Sequence, residues 1–212
     1  MLISQNRRFI FVHVQKTGGT SLEQVLRRAS RDVAVWHGRH GHARAGWAEL
    51  GQEGWQRYFS FAFVRNPWDR LVSWYAMIRQ RIDALSPAER RRRQPFRTEI
   101  FNYVLHNSHD FESFLDNCTA TIFDRGCDKS FLFNQLDYLS APSGEMLVDF
   151  VGRYERFDED AAQVLEWIGI DARLPRLNPS RHGHYRDYYT PRTRDLIAHR
   201  YARDIAHFGY EF

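Results

Sequence analysis

Between residues 9 and 22 the chain reads Phe-Ile-Phe-Val-His-Val-Gln-Lys-Thr-Gly-Gly-Thr-Ser-Leu. The nearly continuous apolar run at 9 to 14 is the pattern of a strand buried on both faces of a parallel sheet. It breaks at Lys16, Gly18 and Gly19, and Leu22, Val25, Leu26 and Ala29 then recur at helical spacing. A strand that turns this abruptly into a helix predicts a βα unit, with Thr20-x-x-Glu23 as a capping box at the helix start. Two glycines let the backbone bring several N–H groups together, and the helix adds its positive end. With Lys16, Thr17, Thr20 and Ser21 as side-chain donors, the loop is an anion cradle and its first expected ligand bears a phosphate.

The rest of the chain repeats the alternation. Val33 and Val35 suggest a short strand, and residues 37 to 45, rich in His, Gly and Arg, read as a loop. A second buried strand at 61 to 64 ends in Arg65-Asn66-Pro67, where Asn66 is suited to an N-cap and Pro67 to the first helical position. Leu71, Val72, Tyr75 and Ile78 give that helix its apolar stripe. Residues 83 to 98, with four consecutive arginines from Arg90, form an exposed basic insertion, and 99 to 123 carries helical aromatic spacing. A third strand at 148 to 151 precedes a helix from about 158 to 168 that stops at Gly169. After a polar loop at 174 to 189, Thr190-Pro191 opens a last helix with Ile197, Tyr201, Ile205 and Phe208 on one side. The expected class is α/β with a short central parallel sheet flanked by helices, in one domain over residues 1 to 212.

Composition narrows the function classes. A net charge of +4 over 212 residues suits a polyanionic cofactor or acidic acceptor and falls short of a nucleic-acid signature. Cys118 and Cys127 are too few for a disulfide scaffold and fit thiols in a reducing, cytoplasmic compartment. No apolar stretch approaches the roughly 20 residues of a membrane span. His37, His40 and His42 raise zinc, but no nearby fourth ligand accompanies them, so no metal is expected.

In open parallel sheets ligands bind beyond the carboxyl ends of the strands, so Lys16 and Arg65 should face one crevice. Ser73 lies two helical turns after Asn66 and can look back toward the strand end that carries Arg65, so the two could share a phosphate. A kinase or triphosphate hydrolase is the competing enzyme. Its Walker A loop places Lys after the glycines, whereas Lys16 precedes them, and Asp149 sits inside its apolar run where it is a poor magnesium ligand. A non-catalytic module for anionic polysaccharide is the other alternative, although it has no need of the Lys-Thr-Gly-Gly-Thr loop.

Gln-Lys-Thr-Gly-Gly-Thr-Ser at 15 to 21 and Phe-Ala-Phe-Val-Arg-Asn-Pro-Trp-Asp-Arg-Leu-Val-Ser-Trp-Tyr at 61 to 75 resemble the two cofactor motifs of the sulfotransferases that use 3′-phosphoadenosine 5′-phosphosulfate (PAPS). The similarity is to the carbohydrate group that includes heparan sulfate 2-O-sulfotransferase. It extends through Arg153-Tyr-Glu155, read as a structural ion pair, to the basic aromatic loop near Tyr189. The resemblance implies a P-loop-like three-layer fold and transfer of a sulfuryl group to a hydroxyl, leaving 3′-phosphoadenosine 5′-phosphate (PAP). It assigns residues 16 to 21 to the 5′-phosphosulfate, and Arg65 with Ser73 to the 3′-phosphate. It also implies a histidine base on the loop between the motifs, His42 by best match and His40 second. Lys16 would offset charge on the leaving phosphate. Arg181 and Tyr185 are added as cofactor contacts from the basic aromatic loop, and a carbohydrate hydroxyl is the expected acceptor.

Overall fold

A computed structural model gives the structure of the chain and describes residues 1–175 and 182–212. The strands are β1 (Leu2–Ser4), β2 (Phe9–Val12), β3 (Ala34–Val35), β4 (Phe59–Val64), β5 (Ile122–Asp124), β6 (Cys127–Lys129) and β7 (Phe150–Arg153). The first five helices are α1 (Gly19–Ala29), α2 (Ala43–Trp55), α3 (Pro67–Asp83), α4 (Pro87–Arg90) and α5 (Glu99–Asn107). They are followed by α6 (Phe111–Asn117), α7 (Gln135–Leu139), α8 (Phe157–Trp167), α9 (Pro191–Arg200) and α10 (Ala202–Phe208). The described residues fall into two compact units, one of residues 1–65 and 135–175 and one of residues 66–134 and 182–212.

The first unit holds a five-stranded sheet in the order β3-β1-β2-β4-β7. Its centre is parallel, with β2 beside β4 and β4 beside β7, and β1 and β3 extend it as antiparallel edge strands. Every residue of β2 is buried because both of its faces are covered. On one face Phe9, Phe11, Phe61 and Phe63 pack with Leu22, Val25 and Leu26 of α1 and with Ala161, Val164 and Leu165 of α8. Each of the aliphatic α1 side chains contributes about 1.5–3 kcal/mol by leaving water. The fold is thus a mixed α/β protein with a mostly parallel sheet flanked by helices.

Several boundaries differ from the sequence expectation. β1 is an unforeseen strand, turned back onto β2 by a tight bend that holds Arg8 at φ 51. The third parallel strand is Phe150–Arg153 rather than 148 to 151, because the preceding residues bond elsewhere. The Leu147 carbonyl accepts from Trp55 Nε1 at 2.7 Å, and the Asp149 carboxylate accepts from the amide and hydroxyl of Ser60, each at 2.7 Å. Asp149 therefore ties down the start of β4.

In the second unit α3 is the spine. Asn66 accepts from the Trp68 amide at 3.1 Å, Pro67 follows it, and Trp68, Leu71, Trp74 and Ile78 carry the buried face. That face packs with Ile100 and Val104 of α5, Phe111 and Phe114 of α6, and Ile197 of α9. Within 99 to 123 the expected helix is two, α5 and α6, followed by a β5–β6 hairpin that turns at Arg125-Gly126. A buried ion pair at 2.6 Å joins Lys129 to Asp124 in that hairpin. The expected last helix breaks into α9 and α10 at Tyr201, a fully buried ring whose φ of −107° leaves the helical range. The basic insertion contains only the short α4, capped reciprocally by Ser86 and Glu89, and Arg90 through Arg93 are exposed.

Candidate active site

After β2 the loop is built from its own backbone. Thr17 Oγ1 donates to the Val14 carbonyl at 2.9 Å, Lys16 takes a left-handed φ of 71°, and Gly18 follows at φ 84° as N-cap of α1. A Cβ on Gly18 would stand 2.7 Å from the Phe157 ring, and one on Gly19 2.3 Å from the His13 ring. Both positions need the missing side chain for close approach, and Gly18 also for its conformation. The capping box expected from Thr20 and Glu23 does not form, and α1 has no side-chain cap. The Glu23 carboxylate is drawn instead to Arg39 at 2.7 Å and Arg27 at 2.9 Å. Thr20 is exposed at the first turn, and Ser21 is buried beside it. A helix start without a side-chain cap, behind a glycine turn, has the backbone geometry on which anions are held in other proteins.

Arg65 closes β4 and is only 4% exposed. Its backbone is held from both directions by Gln135, which accepts from the Arg65 amide and donates to the Arg65 carbonyl, each at 2.8 Å. Its guanidinium lies 3.9 Å from the centre of the Tyr154 ring, and Nη1 donates to the Lys16 carbonyl at 3.2 Å. Lys16 is largely buried next to it. Burial first, and then the Arg65 charge, push the Lys16 ammonium down from 10.5 to about 8.

The histidine loop ends at the N-cap of α2, a helix that begins at Ala43, where the sequence suggested loop to residue 45. His40 Nδ1 lies 2.8 Å from the His13 carbonyl and His42 Nδ1 2.7 Å from the Asp137 carbonyl. A carbonyl only accepts, so each neutral ring carries its proton on Nδ1 and its lone pair on Nε2. The His42 ring stacks on Tyr138 at 4.4 Å, and the His40 ring meets His13 edge-on at 4.6 Å. His37 turns away to Glu49 at 2.8 Å. Among the described residues no group of three or more His, Cys, Asp and Glu side chains is spaced to hold a metal.

The first unit holds Lys16, Thr17, Gly18, Gly19, Thr20, Ser21, Arg65, His40 and His42; among them Arg65 bonds the Lys16 carbonyl and His40 the His13 carbonyl. Ser73 and Tyr185 belong to the second unit. Ser73 is 1% exposed on α3, and Tyr185 packs against Phe212 with ring centres 5.7 Å apart. Arg181 lies outside the described residues. Sequence reasoning missed Gln135, Tyr154, Phe157 and His13. Tyr154 sat inside the Arg-Tyr-Glu pattern, of which only Arg153 and Glu155 were given a role; the Arg153 amide donates to Asp160 at 2.7 Å. Gln135 gave no signal, since its role appears only when α7 is placed beside the end of β4.

The class defined by this arrangement is an α/β protein with a glycine loop between its first parallel strand and the helix that follows, and a buried arginine at the end of the next strand. The model of the Sulfotransferase family matches residues 1–211, and the chain belongs to that family. It is thus a sulfotransferase, and such enzymes generally take their sulfuryl group from PAPS. The chain is also similar, at 25% identity over 138 residues, to an uncharacterized protein of Archaeoglobus fulgidus, covering 65% of this chain and 90% of that protein. Among the described residues no helix is long and apolar enough to cross a membrane.

Proposed function

We propose that this enzyme transfers the sulfuryl group of PAPS in line to a hydroxyl of a carbohydrate or glycosylated acceptor. PAPS, when bound, supplies the sulfuryl group and leaves as PAP. The observation that carries this reading is the Lys16–Arg65 pair, two neighbouring cations at adjacent strand ends that favour a ligand with more than one negative group. Residues 16 to 21 hold the 5′ side, and Arg65 with Ser73 holds the 3′-phosphate, with Arg181 and Tyr185 as further contacts. Lys16, mostly protonated at neutral pH, offsets negative charge growing on the bridging oxygen. His42 Nε2 accepts the hydroxyl proton, and its Nδ1 bond to the Asp137 carbonyl fixes the ring for that task. His40 is the second candidate because its ring is tied in the same tautomer to the residue that follows β2.

PAP at about 100 times its Kd should stabilise the protein by about 2.7 kcal/mol, a rise in Tm of roughly 5 to 11 °C. Stabilisation by ATP with magnesium and none by PAP would overturn the proposal. His42→Ala should abolish transfer from labelled PAPS and leave PAP affinity nearly intact, and the same result in His40→Ala alone would move the base to that residue. An acceptor screen with labelled PAPS identifies the hydroxyl.

A further inference from the structure

A cluster of charged side chains lies beside the cradle. Glu23, on the second turn of α1, has a carboxylate only 12% exposed that receives Arg39 Nε at 2.7 Å and Arg27 Nε at 2.9 Å. Arg39 also reaches one turn back along α1, where Nη2 donates to Thr20 Oγ1 at 3.4 Å. The guanidinium fork thus spans the first two turns of the helix that opens the cradle. The next residue, His40, bonds the His13 carbonyl at the end of β2. Residues 39 and 40 therefore grip both sides of the anion loop, the strand that enters it and the helix that leaves it.

This grip has little to do with holding the fold together. Arg39 is 39% exposed, and a pair of that kind adds little to global stability. Arg27 separately ties α1 to the Val33 carbonyl at 3.0 Å, so the helix keeps an anchor without Arg39. What Arg39 joins to α1 is the histidine loop. His13, whose ring meets His40 and packs on Gly19, is 2% exposed, and its Nδ1 makes no hydrogen bond; Glu23 Oε2 is 3.7 Å away. Burial, then the His40 and Arg39 charges, keep that ring neutral, so Glu23 is left to the two arginines.

We infer that the Glu23–Arg39 pair is a positioning device that sets the histidine loop against the anion cradle and holds His40 in one tautomer. Glu23 and Arg39 are positioning residues in this scheme, acting through Thr20 and His40. The inference rests on the sulfotransferase reading for its catalytic meaning, since that reading makes the loop carry the base. Whichever of His40 and His42 is the base, only Gly41 separates them, so the grip on residues 39 and 40 bears on both.

The test compares wild type, Glu23→Gln, Arg39→Gln, Arg39→Lys, their Gln/Gln double variant and an Arg27→Ala control. Long-range 1H–15N spectra of histidine-labelled protein, with His40 assigned from His40→Gln, read the tautomer with and without PAP. Calorimetry reads PAP affinity, and thermal melts report folding. Wild type and Arg27→Ala should show a single Nδ1-protonated form of His40. Glu23→Gln and Arg39→Gln should lose that single-tautomer signature, Arg39→Lys should lose it partly, and the double variant should be no worse than either single. PAP Kd should stay within about threefold throughout, with melts preserved.

An unchanged His40 signature in folded Glu23→Gln and Arg39→Gln overturns the inference. A tenfold or greater loss of PAP affinity confined to Arg39 variants overturns it too, by making Arg39 a direct cofactor ligand. Failure of wild type to bind PAP would instead sink the functional reading, while the spectra recorded without PAP still decide the positioning role.

Discussion

Replacing Lys16 with Met should remove two opposite responses to pH, one of folding and one of ligand binding. In the wild-type protein the Lys16 ammonium titrates near 8 instead of 10.5, because burial and the Arg65 charge disfavour its protonated form. The folded chain then holds this proton less tightly than the unfolded chain. Between those two values the unfolded state binds more protons, so stability rises with pH. From pH 7 to 9.5 the difference in unfolding free energy, wild type minus Lys16→Met, should grow by about 2 kcal/mol, or roughly 4–8 °C in Tm. Burial pushes the ionisation of Tyr189 and Cys118 upward, so these groups act with the opposite sign, and taking the difference cancels them.

PAP binding should move the other way, because the ligand needs the charged amine. At pH 9.5 only about one wild-type molecule in 30 carries it, and apparent affinity should fall about 30-fold from its value at pH 7. Calorimetry in two buffers of different ionisation enthalpy should detect uptake of about half a proton per PAP at pH 8, and none in Lys16→Met. Parallel stability curves for the two proteins, or binding at pH 8 without proton uptake, would refute the reading of Lys16 as a desolvated cation that binds PAP in its charged form.

Two substitutions probe the framework. Gln135→Leu strands the amide and carbonyl of a buried residue, and should lower stability by about 2–5 kcal/mol in urea unfolding and weaken PAP binding as Arg65 loses its anchor. Lys129→Met should cost about 3–5 kcal/mol because Asp124 keeps a buried charge, and adding Asp124→Asn should restore much of the loss in the same assay.

The parts of the fold with a one-dimensional signature were legible. β2, β4 and the start of α3 follow from two apolar runs, a glycine turn and an Asn-Pro cap, because both faces of a central strand are covered and a cap acts within one turn. Lys16 and Arg65 were placed correctly at their strand ends. Features created by distant partners were not legible. β1 is a strand only because β2 and β3 pair with it, and Glu23 abandons its capping box only because Arg39 arrives from the next loop. Tyr201 breaks the last helix by burying its ring, a demand that outweighs the helical spacing around it. The Tyr154 ring under Arg65 and the Gln135 amide on its backbone depend on β7 and α7 lying beside β4, which local sequence does not encode.

Phe157 occupies the space where residue 18 would carry a Cβ, and its ring lies 6.2 Å from that of Tyr154. Tyr154 supports the Arg65 guanidinium, which returns to the Lys16 carbonyl. These five residues form a closed circuit, so drift at one is felt by the others. As sequences diverge, ring size at 157 and the absence of a side chain at 18 should change together, and the aromatic at 154 should persist wherever an arginine follows β4. Transplanting the glycine loop alone into another α/β scaffold would carry over the letters of the motif without the rings that give it shape.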